Sequence, residues 1–323
     1  MWVGGHSSRV GRERDAGAVR DDQAKVRLHS RPQEPLVDIC GIEVKQTPEY
    51  IILTLTAYIT KLAKSYLTAD ELSTKVKVPA DKSIEKDVES ALEQDPASVP
   101  RELLCTYRAL VGAILFIVTT VRPDASYAAG MLARAMNKPT PSLLQHAKQL
   151  LQYLYGTADM GLHYSRKSEF KLDGMSDSDW QVRCSISGYV FFMACAAISY
   201  LSKKQPTIAM ASTQSEVYAA SLAGLEGTFL LGMTEQITGR KLTPVEVGVD
   251  NKGAYDMSDD FVSNSRVRHY ERRQLKIREL VENGLIKLKL VKTENNPADI
   301  FTKALGRRLF EKHRKTVLNL PTA

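Results

Sequence analysis

Four acids in the second half of the chain are placed where chemistry could be done: Asp177 in "SDSDW", Glu216 in "TQSEVY", Asp250 in "VDN" and Asp299 in "NPADIF". Three or four carboxylates with no histidine or cysteine beside them suit a hard cation such as Mg²⁺, which takes oxygen ligands in octahedral geometry. Two such ions about 3.5 to 4 Å apart can activate a water and stabilise a leaving oxygen in phosphodiester hydrolysis. Each acid also has a local explanation. "TQSE" fits a capping box with Glu216 reaching back to the start of a helix. "NPAD" puts Asn296 at a cap, Pro297 first and Asp299 third, a favourable place for an acid near a helix N-terminus. Asp250 can begin an Asp-Asn turn, and Asp177 and Asp179 suit a polar loop. The four lie far apart in the chain, so only the fold can unite them.

The elements around them alternate in a way that would do so. From about residue 166 the pattern reads as a strand in "EFKLDGMSD", two more in "SGYVFFMACAAISYLSKK", a helix from Ser212 to about Ile237 and a strand in "VEVGVD". A helix in "RHYERRQLKIRELVENG" closed by Gly284, a strand in "LIKLKLV" and a terminal helix opening at "NPADIFTKAL" complete it. Such an order predicts an α/β fold with a mixed sheet and flanking helices. It sets Asp177 and Asp250 at strand ends, and Glu216 and Asp299 in first helical turns, where sites form in such sheets. "YVFFMACAA" reads as a strand buried in that sheet rather than as a lipid-facing surface.

Upstream, the text is mainly helical. Two strands flank Thr47-Pro48-Glu49, and a helix runs through Tyr58, Leu62 and Tyr66. Thr68 to Pro100, charged and Pro-containing, reads as a long loop or linker. Helices follow in "ELLCTYRALVGAILFIVTTV", in "PDASYAAGMLARAMN" and in "TPSLLQHAKQLLQYLYGT". In the last, Thr140 suits the N-cap, Pro141 the first turn and Gly156 the stop, with Leu143, Ala147, Leu150 and Leu154 on one face. Residues 1–36 mix Gly, Arg and Asp without apolar periodicity and read as a disordered leader. The expected organisation is thus leader 1–36, hairpin and helices 37–165, and α/β domain 166–323.

At 323 residues, with 43% hydrophobic and 25% charged side chains, the composition argues against global disorder. A net charge of +7 leans weakly towards a polyanionic partner. The four cysteines form no C-x-x-C pair and follow no signal peptide, so they read as reduced thiols of a cytoplasmic or nuclear, intracellular protein. The longest largely apolar runs, Ala109 to Val121 and Tyr189 to Leu201, have 13 residues each, short of the roughly 20 of a membrane-spanning helix. No transmembrane segment and no membrane partner are expected.

The blocks "SDSDW", "SGYVFF", "AISYLSKKQPTIAMASTQSEVYAAS", "VDNKGAYD", "SRVRHYE" and "NNPADIFTKAL" together resemble, in order, the ribonuclease H domain of copia-type LTR-retrotransposon Pol polyproteins. "GIEVKQTPEYIILTLTAYITKLAKSY", the run from "YRALVGAILF" to "LLQYLYGT", and "GLHYS" are similar to the end of the reverse transcriptase in the same polyproteins, its thumb and connecting helices. The resemblance covers about residues 38–316 and implies a ribonuclease H-like mixed sheet behind a reverse-transcriptase remnant. The family's metal-binding acids fall on Asp177, Glu216, Asp250 and Asp299. The implied activity is two-metal hydrolysis of the RNA strand of an RNA–DNA hybrid, with two Mg²⁺ ions or Mn²⁺ in their place. Contacts to the hybrid would come from Ser212, Thr213, Gln214 and Asn251 and from a basic stretch containing Arg266, Arg268, His269 and Arg272. Asp179 would be a supporting acid and Trp180 would pack beside the site. The remainder of a Pol polyprotein, or a reverse transcriptase, is the implied protein partner.

The chain departs from that family in three places. No aromatic-x-Asp-Asp turn is present, since Asp21-Asp22 and Asp259-Asp260 lack the aromatic residue, so DNA polymerisation is not expected. The run between Trp180 and "SGY", Gln181 to Ile186, is shorter than the family's. The usual Glu-Ala-Glu is Gln214-Ser215-Glu216. Two readings follow: an Mg²⁺-dependent hybrid endonuclease, and a degenerate copy that keeps the fold and binds nucleic acid without cleaving it.

Overall fold

The computed structural model describes residues 37–180, 185–206, 208–242, 244–259 and 276–321. The leader expected over 1–36, most of the short run after Trp180, and Arg266, Arg268, His269 and Arg272 lie outside the described residues.

Alternating β-branched residues on either side of a Thr-Pro-Glu turn build the first hairpin. After β1 (Asp38–Ile39), β2 (Ile42–Gln46) and β3 (Tyr50–Thr54) pair antiparallel, with the Tyr50 N–H donating to Thr47 Oγ1 at 2.9 Å. Three helices come next: α1 (Thr56–Tyr66), which buries Ile59 and Ala63, then α2 (Ala69–Ser73) and α3 (Ser83–Glu93). The last two correct the reading of Thr68 to Pro100 as a loop. Thr68 and Glu71 form a capping box, and Ile84, Val88 and Ala91 make a narrow buried stripe at helical spacing. Two apolar turns inside a charged stretch suffice for a helix when a neighbouring core receives them.

α4 (Arg101–Thr120), α5 (Ser126–Arg134) and α6 (Pro141–Gly156) form the centre of the helical region. At 20 residues α4 is long and apolar enough to cross a membrane by length and composition, longer than the 13-residue apolar run that overlaps it. Here one of its faces buries Tyr107, Leu110, Val111, Ile114, Ile117 and Val118. α6 is capped as its sequence suggests, by Thr140 Oγ1 accepting from the Leu143 N–H, and it buries Leu143, Ala147, Leu150 and Leu154. β4 (Leu162–Ser165) then returns to β3 and completes an antiparallel sheet of order β1-β2-β3-β4.

The second sheet carries the acids. β5 (Asp173–Asp179), β6 (Ile186–Met193) and β7 (Ala196–Lys204) pair antiparallel, and α7 (Ser212–Thr238) leads to β8 (Val245–Val249). After α8 (Lys252–Asp259), which the sequence reading did not include, α9 (Lys276–Glu282) leads to β9 (Ile286–Leu290) and the chain closes with α10 (Arg307–Leu318). The strand order is β7-β6-β5-β8-β9, with β8 parallel to β5 and β9 parallel to β8, a mixed α/β sheet as expected.

β6 is buried on both faces. Ile186, Val190 and Phe192 enter a core shared with the helices of residues 56–156 and with α10, while Tyr189 and Phe191 enter a second core under α7, β8, α9 and β9. The larger core thus draws on both sides of residue 165. "NPADIFTKAL" does not open the terminal α-helix: Pro297–Phe301 is a 3₁₀ turn, and α10 begins at Arg307. All five residues of that turn are buried, which a helix with one solvent face would not permit.

Candidate metal centre

β5 and β8 run parallel with Met175 opposite Gly248, so Asp177 and Asp250, each two residues further on, reach the same edge of the sheet. Asp177 lies within β5, which continues to Asp179, and not at its end; it is 2% exposed. Asp299 arrives from the 3₁₀ turn. Asn296 caps that turn, its Oδ1 accepting from the Ala298 N–H at 3.1 Å, and its Nδ2 donates to the Ser176 carbonyl at 2.9 Å. One amide thereby ties the turn bearing Asp299 to the backbone beside Asp177. Gly188, paired with Asp177 across β6, makes room: a Cβ there would stand 2.8 Å from Phe301 Cβ and from Thr302 Cγ2.

Glu216 comes from α7 and corrects the capping-box reading. The N-cap is Ala211, the Gln214 side chain accepts from the Met210 N–H at 2.7 Å, and Glu216 lies in the second turn. The residues that bury begin only with Ser215, Glu216 and Val217, and Thr213 is not the cap. Ser178 Oγ donates to Ser215 Oγ at 2.9 Å, and Gln205 Nε2 donates to the Ser215 carbonyl at 3.0 Å and to Ser187 Oγ at 2.9 Å.

One carboxylate oxygen from each of Asp177, Asp250 and Asp299 lies within 4.8 Å of the others. Glu216 stands outside that triad but feels it: burial, then Asp177 and Asp250, pushes its carboxyl up to about 9. Burial and Asp177 raise Asp299 to about 7, and the same two causes raise Asp250 against a hydrogen bond from Thr293. Thr302 Oγ1 donates to Asp177 Oδ2. Lys303 Nζ stands 3.0 Å from Asp299 Oδ1 and 3.6 Å from Asp177 Oδ2. Carboxylates raised by burial and then by one another are short of positive charge, and an all-oxygen donor set of this kind fits a hard divalent cation. The triad could therefore hold a metal ion.

Of the other expected residues, Ser212 is exposed and Thr213 and Gln214 are half-buried at the start of α7. Asn251 is half-buried beside Asp250, and its Oδ1 accepts from the Ala254 N–H at 3.0 Å in the first turn of α8. Gly253 lets the two helix starts meet, since a Cβ there would lie 2.9 Å from Thr213 Cγ2. Trp180 is half exposed, and its Nε1 donates to the Ala209 carbonyl at 3.0 Å, joining the end of β5 to the approach to α7. Sequence reasoning missed Thr302 and Lys303, although Lys303 follows Asp299 at the four-residue spacing that brings opposite charges together. His313 was also passed over: it is buried, its Nε2 has no hydrogen-bond partner, and burial with Lys312 and Lys303 lowers it to about 4.

No family model matches the chain. Over 90% of its length it is 29% identical to the retrovirus-related Pol polyprotein from transposon RE1 of Arabidopsis thaliana, covering 19% of that protein. Over 64% of its length it is 31% identical to the corresponding polyprotein from transposon TNT 1-94 of Nicotiana tabacum, covering 16% of it. A shorter match, 38% identical over 41% of the chain, covers 96% of the secreted RxLR effector protein 161 of Plasmopara viticola. The chain spans less than a fifth of the two polyproteins. Similarity to transposon polyproteins along nine-tenths of its length, joined to the ordered motif blocks, makes this chain a member of the copia-type retrotransposon Pol family, corresponding to a fragment of such a polyprotein.

Proposed function

We propose that the chain is a ribonuclease H that hydrolyses the RNA strand of RNA–DNA hybrids, leaving a 3′-hydroxyl and a 5′-phosphate. The observation that carries this reading is the convergence of Asp177, Asp250 and Asp299 at one edge of two adjacent parallel strands, with Glu216 close enough to be perturbed by them. The sheet around them, three antiparallel strands followed by two parallel ones, is the arrangement expected of a ribonuclease H-like fold.

Asp177, Glu216, Asp250 and Asp299 would hold Mg²⁺, two ions in all, with Mn²⁺ as a substitute. When bound, such ions activate the attacking water and stabilise the leaving 3′-oxygen. The protein's share is positioning. Asn296 and Thr302 hold the Asp299 turn and the Asp177 carboxylate, and the Ser178–Ser215 pair holds the start of α7. Ser212, Thr213 and Gln214 at the start of α7, and Asn251 next to Asp250, would offer hydroxyl and amide groups to the sugar-phosphate backbone and the RNA 2′-hydroxyls. Arg266, Arg268, His269 and Arg272 would supply positive charge for phosphate contacts. Recognition of this kind reads shape, so cleavage is expected with little sequence preference.

The test is incubation of the purified chain with a labelled RNA–DNA hybrid and Mg²⁺, beside Asp177→Asn. Cleavage by the wild type that disappears in the variant is the expected result. Hybrid binding without cleavage by either protein would sink the nuclease reading and leave a degenerate, non-catalytic fragment that binds nucleic acid.

A further inference from the structure

The cation already at the acid cluster belongs to the chain. Lys303 Nζ lies 3.0 Å from Asp299 Oδ1 and 3.6 Å from Asp177 Oδ2, and these are the ion pairs that the four acids make among the described residues. The contact to Asp299 is an ion pair without hydrogen-bond geometry, since Oδ1 of that residue accepts no hydrogen bond. Both carboxylates are nearly inaccessible, at 3% and 2% side-chain exposure, whereas the Lys303 side chain is 32% exposed. This differs from a solvated surface pair, where screening and side-chain entropy remove most of the gain.

A hard divalent ion needs carboxylate oxygens at about 2.0–2.1 Å on several sides. An ammonium at 3.0 Å from one of those oxygens faces the same lone pairs. Two cations a few ångströms apart in a site shielded from water also repel. The ammonium and the ion therefore exclude one another, and the long, partly exposed stem of Lys303 offers the way out.

We propose that Lys303 is a positioning residue that acts as a built-in counter-cation. It bridges Asp177 and Asp299 before loading, holds them together against their mutual repulsion, and is displaced into solvent when a divalent ion binds. It thereby sets the ion concentration at which the site fills. This rests on the reading of the triad as a metal site, and the test separates the two.

Binding of Mn²⁺ is followed by the paramagnetic resonance of the free ion, and binding of Mg²⁺ by calorimetry, for the wild type, Lys303→Met, Lys303→Gln, Lys303→Arg and Asp177→Asn. Both neutral variants should fill at ion concentrations roughly tenfold or more below the wild type, while Lys303→Arg stays close to it. Without added metal the neutral variants should melt below the wild type, and saturating Mn²⁺ should abolish that deficit. Unchanged or weaker ion binding in both neutral variants, with Asp177→Asn still losing binding, overturns the role of Lys303 and leaves the metal site standing. Absence of saturable binding in the wild type overturns both.

Discussion

Two groups of buried charge stand in contrast. In the helical region Arg122 and Asp124 are each fully buried, and every strong group on them is matched. Arg122 Nε and one terminal nitrogen reach the two Asp124 oxygens at 2.9 and 2.8 Å, and its guanidinium also donates to the carbonyl and hydroxyl of Thr157 at 2.9 and 2.8 Å. Tyr153 donates its hydroxyl to Asp124. Burial pushes Asp124 up, yet Arg122 holds it below the ordinary carboxylate range. At the sheet edge the balance is opposite, with Glu216, Asp250 and Asp299 all raised and one lysine among them. A satisfied pair holds structure together; an under-compensated cluster leaves charge that a cation from outside could balance. The difference lies in how many partners each acid has, not in how deeply it is buried.

Breaking the satisfied pair should give the largest effect on stability. Arg122→Met leaves Asp124 buried and uncompensated and is expected to cost about 3–5 kcal/mol in urea unfolding, whereas removing both charges together should cost clearly less. A single-variant loss no larger than that of a surface substitution would remove the contrast between the regions.

A smaller effect, of opposite sign, is expected from the acid cluster. Glu216 and Asp299 bind their protons more tightly folded than unfolded, so stability held at low pH is lost as pH rises, through about 7 for Asp299 and about 9 for Glu216. In chelator the melting temperature should fall by several degrees between roughly pH 5 and pH 9. Glu216→Gln, which resembles the protonated acid, should melt above the wild type at pH 8, with the gap closing towards pH 5. Mg²⁺ should flatten the wild-type curve. A melting temperature that rises over this interval would contradict the sign of both shifts.

How much of this was legible beforehand depended on the range of the interaction. The Thr47-Pro48-Glu49 turn and the order of strand-like and helical blocks revealed β2, β3 and β5 to β9, and the Asn296-Pro297 signal revealed the cap of the turn that carries Asp299. The apolar run of β6 announced a buried strand, and the structure buries it on both faces. α3 was hidden because only three of its eleven residues bury, within a charged surround. Glu216 was placed a turn too early because "TQSE" imitates a capping box while the chain starts the helix from Ala211. Thr302 was beyond reach: its hydroxyl meets Asp177 across 125 positions of chain, and no local pattern reports such a contact.

The finest probe of the contrast is Asn296→Ala. Asn296 is fully buried, and its amide both caps the 3₁₀ turn and donates to the Ser176 carbonyl. As a buried cap its loss should cost about 1–2 kcal/mol, well below that of Arg122→Met. The more telling readout is the acid cluster itself. If the Asn296 tie holds Asp299 against Asp177, the variant should bind Mn²⁺ several-fold more weakly while the Asp299 carboxyl, at about 7, shifts back towards an ordinary carboxylate, because a loosened turn loses burial and its approach to Asp177, the two causes that raise it. Weakened stability with unchanged ion binding and unchanged titration would show instead that Asn296 serves the fold alone, and that the core around Ile300 and Phe301 places Asp299 without it.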